Sequence, residues 1–362
     1  LTQGPTVPKF EKAVASYCGA KHAVAVNSAT SALHIACLSL GLSQGDWLWT
    51  SPNTFVASAN CGRYCGADID FVDIDPKTYN MSIDALSEKL IKAEKLGKLP
   101  KIVVPVHFAG QPCNMHSIYD LSKRYGFKII EDASHAIGAS YNKIKVGSCT
   151  HSDITVFSFH PVKIITTAEG GMALTNNKDI ADKISRLRTH GITKDKKKME
   201  ERPENEIWNY QQIELGFNYR MNDIQAALGL NQMKRLDKYV KRRHKIAKYY
   251  DTKLKNLSLK TPWQLPNVYS SYHLYPIIIK ANSDFKTQRQ VYDELKKNDI
   301  LANLHYIPVH RHPYYENLGF KKNDFPIAEK LHQEIISIPM YPAIQDEHQE
   351  YVVETLRKVM TR

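Results

Sequence analysis

The feature that most constrains the fold is the alternation of short β-type runs with helical patterns over the first two-thirds of the chain. Apolar runs rich in β-branched residues predict seven strands, at residues 22–26, 47–51, 69–74, 102–107, 127–130, 154–159 and 171–175. Helical patterns lie between several of them, at residues 30–40, 83–93 and 116–125. This alternation predicts an α/β domain in which a mostly parallel, seven-stranded sheet lies between helices.

The last third of the chain has a different organisation. A long helical pattern at residues 222–250 predicts the exit from the large domain. Beyond it the pattern predicts a strand at residues 273–279 and helices at residues 286–298 and 330–338. We therefore expect a large domain at residues 1–235 and a smaller α+β domain at residues 236–362.

The net charge of +12 admits three kinds of partner: nucleic acid, an anionic surface or anionic small molecules. The densest basic run, at residues 196–198, lies in a polar stretch and is interpreted as a solvated loop. No helix-turn-helix, zinc-finger or RNA-binding signature is present, so no nucleic-acid partner is expected. A regulatory or DNA-binding protein is the alternative from a different class. No apolar window reaches the ~18 residues of a membrane span, so no membrane association is expected.

The six cysteines match no zinc or redox spacing, and no metal site is predicted. Cys61 and Cys65 are four residues apart, which on a helix places them on one face. We expect reduced thiols and a cytoplasmic location. No signal peptide is visible, although the sequence begins at Leu1 rather than at Met.

Three segments carry candidate chemistry. The first, residues 27–33, follows a predicted strand and opens a helix, with Ala29 and Thr30 at the turn. Small residues, hydroxyls and free helix amides suit a phosphate, but an ordinary Ser/Thr helix cap explains the same pattern.

The second segment, residues 129–135, ends an apolar strand in the adjacent carboxylates Glu131 and Asp132. On an extended strand these side chains point to opposite faces, so only one of them can reach a shared ligand. A capping role for Asp132 is the alternative.

The third segment, residues 158–171, begins at the end of a predicted strand with Ser158 and continues into a loop. The loop contains Lys163, two threonines and a Glu-Gly-Gly turn. A lysine held against apolar walls can lose its proton and act as a nucleophile. By spacing alone, a lysine on a surface loop is the simpler interpretation.

In this order the three segments resemble the DegT/DnrJ/StrS family of sugar aminotransferases that depend on pyridoxal 5′-phosphate (PLP). Further matches occur at residues 54–57, 104–107, 190–192, 215–221, 226–230, 305–306 and 338–340. The resemblance covers nearly the whole chain and lacks only the segment that usually precedes Leu1. It implies the type I fold of PLP-dependent transferases.

The resemblance also implies roles for individual residues around the cofactor. Lys163 aligns with the lysine that carries PLP, and Asp132 aligns with the acid that bonds the pyridine nitrogen. Phe55 aligns with the aromatic residue that stacks on the ring, and His135 lies beside the ring. The residues that align with phosphate-binding groups are Ala29, Thr30, Ser158 and Asn218.

Asn218 aligns with a residue that reaches the phosphate from the other subunit, which implies a homodimer with shared active sites. His160, Arg220, His305 and Tyr306 resemble substrate-side residues, with a role as buried structural residues as the alternative.

The implied reaction is an amino transfer in which PLP cycles through pyridoxamine 5′-phosphate (PMP). L-glutamate is the implied donor, and C4 of a UDP-linked 4-keto-6-deoxy-N-acetylhexosamine is the acceptor. The spacing is most similar to the branch that acts in pseudaminic acid biosynthesis. Another nucleotide-linked 4-ketosugar, of the perosamine or bacillosamine type, is the alternative. A PLP-dependent lyase would need a catalytic cysteine on a mobile loop, and no cysteine has that setting.

Overall fold

The computed structural model describes residues 1–203, 205–207, 209–280 and 286–360. The strands of the described chain are β1 (His22–Val26), β2 (Trp47–Thr50), β3 (Asp68–Phe71), β4 (Ile102–Val104), β5 (Lys128–Asp132), β6 (Ser140–Tyr141), β7 (Ile144–Lys145), β8 (Ile154–Ser158), β9 (Gly171–Thr175), β10 (Ile192–Thr193), β11 (Gln211–Gln212), β12 (Leu259–Lys260), β13 (Val268–Tyr269), β14 (Tyr275–Ile279) and β15 (Ile335–Ile338).

The α-helices are α1 (Thr6–Cys18), α2 (Ala29–Ser39), α3 (Ala57–Tyr64), α4 (Ile83–Leu96), α5 (Met115–Tyr125), α6 (Lys178–Leu187), α7 (Asp223–Met233), α8 (Leu236–Leu254), α9 (Gln288–Lys297), α10 (Pro313–Glu316), α11 (Pro326–Glu334) and α12 (Asp346–Met360). Two short 3₁₀ helices lie at Phe108–Gly110 and Val309–Arg311. Every helix in the described ranges is too short or too polar to span a bilayer.

The central sheet has seven strands in the order β1-β9-β8-β5-β4-β2-β3. β9 runs antiparallel to both of its neighbours, and the other strands of this sheet run parallel to one another. The predicted mostly parallel, seven-stranded sheet is therefore confirmed. Its strands are continuous apolar runs because helices cover both faces, and β8 and β9 are buried along their whole length.

The helices of the large domain begin and end at recognisable sequence signals. The side-chain oxygens of Ser28, Ser82 and Asn177 accept hydrogen bonds from the first-turn amides of α2, α4 and α6. Gly97 and Gly126 end α4 and α5 in the left-handed conformation that glycine adopts without strain. These signals fix where each helix begins and ends relative to the sheet.

Two predictions about the C-terminal third are wrong in detail. The pattern at residues 222–250 forms two helices, α7 and α8, which are separated at Lys234 and Arg235. The break lets fully buried Leu236 pack in the same core as Ala226. The predicted helix at residues 330–338 ends at Glu334, because the four buried residues of β15 pair with β14 instead.

The smaller core lies under the antiparallel sheet β12-β14-β15 and the helices α8, α9 and α12. Val309, Tyr315 and Phe325, which belong to the predicted small domain, pack into the core of the large one. The division at residue 235 stays a prediction, and residues 281–285, 361 and 362 of the predicted small domain lie outside the described residues.

Candidate active site

A cavity of about 340 Å³ opens at the carboxyl ends of the parallel strands. Ligands in open α/β sheets bind at this edge, because the loops and helix N-termini converge there. Nine of the twelve predicted site residues line the cavity: Ala29, Thr30, Phe55, Asp132, His135, Ser158, His160, Lys163 and Tyr306. The sequence segments singled out above therefore meet at one place in the fold.

The N-terminus of α2 forms one wall. The Ser28 hydroxyl accepts a hydrogen bond from the Ser31 amide at 3.1 Å, so the capping interpretation of this segment holds. Ser28, Ala29 and Thr30 also line the cavity, where first-turn amides favour an anion. Gly171 begins β9 directly against this turn, and a Cβ at Gly171 would collide with the backbone of Ser28 and Ala29.

The loop after β8 carries Lys163 into the cavity. Phe159 anchors both ends of the loop, because its amide donates to the Gly170 carbonyl at 2.9 Å and its carbonyl accepts from the Thr167 amide at 3.0 Å. Burial lowers the pKa of Lys163 to about 8, although the Asp132 carboxylate acts in the opposite direction. At pH 7 about a tenth of an amine with this pKa is unprotonated, far more than for an ordinary lysine, and this form is nucleophilic.

Asp132 ends β5 and faces the cavity. One carboxylate oxygen accepts a hydrogen bond from the Ser58 hydroxyl at 2.6 Å, and the other accepts from the Ser134 hydroxyl at 2.6 Å and the Ser134 amide at 3.1 Å. The local bonds to Ser134 are those of a turn residue, while Ser58 is 74 residues distant along the chain. These contacts fix the orientation of the carboxylate toward a ligand in the cavity.

Glu131 lies on the opposite side of β5, as strand alternation requires. Its carboxylate contacts the His107 ring at 2.7 Å and accepts hydrogen bonds from Ser152 and from Thr155 at 2.9 Å. The Cys113 amide donates to Nδ1 of His107 at 3.2 Å, so this nitrogen is an acceptor and the ring proton lies on Nε2, directed at Glu131. The pair directly behind the cavity wall is therefore a neutral imidazole that donates to a buried carboxylate.

His135 lines the cavity and packs against a second buried histidine, His273. The ring of His135 lies 4.3 Å from that of His273, and its Nε2 contacts the Tyr306 hydroxyl at 3.3 Å. Burial and then the charge of Lys163 lower the pKa of His135. The ring is therefore neutral, and its buried Nδ1 has no hydrogen-bond partner among the described residues. A bound ligand can satisfy such a group.

The mouth of the cavity is polar on one side and apolar on the other. His160 lies 3.7 Å from the carboxylate of Glu169, and both residues line the opening. Phe55 is 60% exposed at the rim, as expected for an aromatic ring that is available to stack on a ligand.

Three predicted site residues do not line the cavity of this single chain. Asn218 is exposed beside Thr189. Arg220 pairs with Val26, and its buried Nε has no partner in the described part of the chain. His305 contacts the Ser337 hydroxyl at 2.9 Å, and burial together with the charge of Lys163 lowers its pKa to about 4.

Sequence reasoning did not find Ser58, His107, His273 or Glu169 as members of this region. Ser58 lies just beyond the matched residues 54–57, and His273 begins the run predicted as a strand at residues 273–279, although the strand starts at Tyr275. No local signal marks either residue as part of a site. His107 and Glu169 do fall within segments that carried the family resemblance, at residues 104–107 and 158–171.

The cavity combines an anion-binding helix start, a fixed carboxylate, a nucleophilic lysine and an exposed aromatic ring. These are complementary to the phosphate, the pyridine nitrogen, the aldehyde and the ring of PLP. The neutral Nδ1 of His135 adds a polar group without a partner. The residues therefore fit this cofactor, whereas the described residues contain no cluster of His, Cys, Asp and Glu suited to a metal ion.

The fold and the cavity together define the class of protein as a PLP-dependent transferase of fold type I. Comparison with known proteins then identifies the family: residues 1–357 match the DegT/DnrJ/EryC1/StrS aminotransferase family, and the chain belongs to it. Enzymes of this family are PLP-dependent sugar aminotransferases that act on nucleotide sugars.

Individual relatives cover nearly the whole chain. The UDP-4-amino-4,6-dideoxy-N-acetyl-β-L-altrosamine transaminase of Campylobacter jejuni is 37% identical over 100% of this chain and 92% of its own. The GDP-perosamine synthase of Caulobacter vibrioides is 35% identical over 99% and 91%.

Solved structures of relatives share the fold. Helicobacter pylori PseC, an aminotransferase involved in the biosynthesis of pseudoaminic acid, is 32% identical over 99% of this chain and 92% of its own, with a TM-score of 0.89. A sugar aminotransferase of Streptococcus pneumoniae in its PMP form is 28% identical over 99% and 93%, with a TM-score of 0.88.

Proposed function

We propose that this aminotransferase moves the amino group of L-glutamate to C4 of a UDP-linked 4-keto-6-deoxy-N-acetylhexosamine. The product is UDP-4-amino-4,6-dideoxy-N-acetyl-β-L-altrosamine, in pseudaminic acid biosynthesis. The main support is the placement of Lys163, an amine with a lowered pKa, beside the fixed carboxylate of Asp132 in one cavity. The 37% identity to the Campylobacter jejuni transaminase supports the choice of sugar.

We assign the cofactor contacts as follows. Lys163 carries PLP, Asp132 bonds the pyridine nitrogen, and Phe55 stacks on the ring. His135 lies beside the ring, and the phosphate is held by Ala29, Thr30 and Ser158. When bound, PLP supplies an electron sink for the electron pair of a breaking bond to the substrate carbon.

The residues of the chain then supply proton transfer and orientation. The Nζ of Lys163 takes a proton from the donor carbon that bears nitrogen and, in the reverse half-reaction, gives a proton to C4 of the acceptor sugar. A pKa of about 8 suits both roles near neutral pH. Asp132 keeps its negative charge directed at the ring nitrogen, because Ser58 and Ser134 orient both oxygens. A lysine rather than a histidine at position 163 favours transamination over dehydration.

We propose a homodimer in which Asn218 reaches the phosphate of the partner subunit. Asn218 lies on the surface outside the cavity of its own chain, and nearby Leu215 and Ile224 are 79% and 66% exposed. Exposed apolar side chains of this kind are suited to burial against a second copy.

Mixing subunits tests the shared site. An Asn218→Ala chain mixed with a Lys163→Ala chain should regain partial activity, because one of the two sites in a mixed dimer then contains both native residues. Verified mixed dimers without any recovery would remove Asn218 from this role.

The substrate-side residues are His160, Arg220, His305 and Tyr306. The net charge of +12 favours the approach of a UDP-linked, doubly anionic substrate. All six cysteines are free thiols, in keeping with a cytoplasmic enzyme. The 35% identity to GDP-perosamine synthase supports a second candidate, an aminotransferase for another nucleotide-linked 4-ketosugar.

The decisive experiment incubates the enzyme with PLP, glutamate and a panel of nucleotide-linked 4-ketosugars of the altrosamine, perosamine and bacillosamine types. NMR of the products reports which sugar is aminated and on which face of C4. We expect the altrosamine-type product to form fastest, and the Lys163→Ala variant to form none. Faster turnover of a GDP-linked sugar would overturn the proposed substrate while leaving the aminotransferase class intact.

A further inference from the structure

Asn218 lies in a short segment whose backbone is held on both sides of it. The Phe217 amide and carbonyl form hydrogen bonds of 2.7 and 2.9 Å with the backbone of residues 187–190, and the Tyr219 amide forms one of 3.0 Å with the same stretch. Asn218 itself forms a β-bridge with this stretch. Because side chains alternate along an extended segment, Phe217 and Tyr219 face one side and Asn218 faces the other, where it is exposed.

The Phe217 and Tyr219 rings connect this segment to α2. The two rings stack with their centroids 4.9 Å apart, and the ring of His34 on α2 lies 4.8 Å from that of Phe217. The Tyr219 hydroxyl contacts Nδ1 of His34 at 3.2 Å. The Tyr219 carbonyl accepts a hydrogen bond from the Asn27 amide at 2.8 Å, in the turn that precedes α2. The segment of Asn218 is therefore attached both to α2 and to the turn before it.

His34 is a polar residue in an apolar stretch of α2. It is 6% exposed, and the other residues from Ala32 to Cys37 are buried in the core. Burying an imidazole costs free energy unless its nitrogens have hydrogen-bond partners, and the Tyr219 hydroxyl is such a partner. An apolar side chain of similar size would also pack against the Phe217 ring, so the imidazole contributes a directed contact with Tyr219 in addition.

We propose that His34 and Tyr219 are positioning residues that hold Asn218 in the orientation in which it reaches the cofactor phosphate of the partner subunit. This role rests on the proposed function of Asn218 in the shared site. An asparagine side chain can change rotamer, but the backbone sets the direction in which it leaves the chain. The contact between Tyr219 and His34 fixes the rotation of that backbone relative to α2. Loss of the contact should therefore weaken binding of the phosphate and leave the ring end of the cofactor unaffected.

PMP and pyridoxamine, which lacks the phosphate, separate this role from a general structural one. Both are titrated into the purified wild-type enzyme, Tyr219→Phe, Asn218→Ala and the double variant, and binding is followed by fluorescence. Tyr219→Phe removes the hydroxyl and keeps the ring. We expect it to raise the Kd for PMP about fivefold, as for the loss of one neutral hydrogen bond, and to leave the Kd for pyridoxamine unchanged. In the Asn218→Ala background it should have no further effect on either ligand.

Two further variants serve as a matched pair. His34→Phe removes the same contact from the side of α2 and should raise the Kd for PMP by a similar factor. Tyr250→Phe removes a hydroxyl that donates to the Pro339 carbonyl at 2.9 Å in the smaller core. It loses a hydrogen bond of the same kind elsewhere in the fold, so it should leave the Kd values for both ligands unchanged.

The outcomes distinguish this role from that of Asn218 itself. An unchanged Kd for PMP in Tyr219→Phe, an equal loss of pyridoxamine binding, or a full effect in the Asn218→Ala background would overturn the positioning role. A wild-type affinity of Asn218→Ala for PMP would instead remove Asn218 from the shared site, and the positioning role with it. The titrations require no turnover, so they are independent of the proposed sugar.

Discussion

The buried pair of His107 and Glu131 gives the sharpest prediction about stability. The side chains are 0% and 7% exposed, so water screens little of their interaction. Replacing His107 with leucine removes the Nε2–H donor and leaves the Glu131 charge buried with only the hydroxyls of Ser152 and Thr155. Hydrogen bonds to charged groups contribute about 1.5–3 kcal/mol. We expect His107→Leu to lower the free energy of unfolding at pH 7 by about that amount.

A second substitution makes the argument specific to charge. Glu131→Gln keeps an acceptor for Ser152 and Thr155 but removes the carboxylate charge. Added to His107→Leu, it should raise the free energy of unfolding, because the unpaired charge is gone. Added to the wild type, it should lower that free energy, because it breaks the pair. This reversal of sign would be measured by urea unfolding of the four proteins of the double-mutant cycle.

The pH dependence follows from the direction of the pKa shift. The pKa of Glu131 is lowered in the folded protein, because burial, which acts in the opposite direction, is outweighed by the hydrogen bonds from His107, Ser152 and Thr155. The stabilisation from this carboxylate is therefore present above its ordinary pKa of 4.5 and is lost as the pH falls through the lowered value. The difference between wild type and His107→Leu should shrink as the pH falls from 7 towards 4. A difference below about 0.5 kcal/mol at pH 7, well short of the loss of a hydrogen bond to a charged group, or one that stays constant down to pH 4, would refute this role of the pair.

Three further predictions concern the cavity. Lys163→Ala should keep the far-ultraviolet circular dichroism of the fold and lose both the visible absorbance of lysine-bound PLP and turnover; full turnover would remove Lys163 from its role. Gly171→Ala should weaken PLP binding at least tenfold in a fluorescence titration, because the added Cβ collides with the Ser28 backbone, and unchanged affinity would contradict this close approach. Ser58→Ala removes a 2.6 Å hydrogen bond to Asp132. Hydrogen bonds to charged groups contribute about 1.5–3 kcal/mol, so kcat/KM should fall about ten- to hundredfold. An unchanged kcat/KM would contradict this role of Ser58.

The C-terminal third shows where local pattern was insufficient. The apolar run of β15 is compatible with the end of a helix or with a buried strand, and periodicity alone cannot separate the two for so short a segment. The choice was decided by β14, which lies about 60 residues earlier in the chain and offers its edge to residues 335–338. Likewise, the break between α7 and α8 carries no proline or glycine, and it follows from the packing of Leu236.

The sequence by itself determined the seven strands of the large sheet, the start of the following helix to within one residue of Ala29, the placement of Asp132 at a strand end and that of Lys163 in the loop after a strand. These features depend on residue types at short spacing, and parallel topology brings the carboxyl ends of the strands to one edge. Only the tertiary structure decided what surrounds them. Ser58 reaches Asp132 across 74 residues, and Tyr306 reaches His135 across 171. The lowered pKa of Lys163 is also a product of packing, because burial is set by every element around the cavity and by no local run of residues.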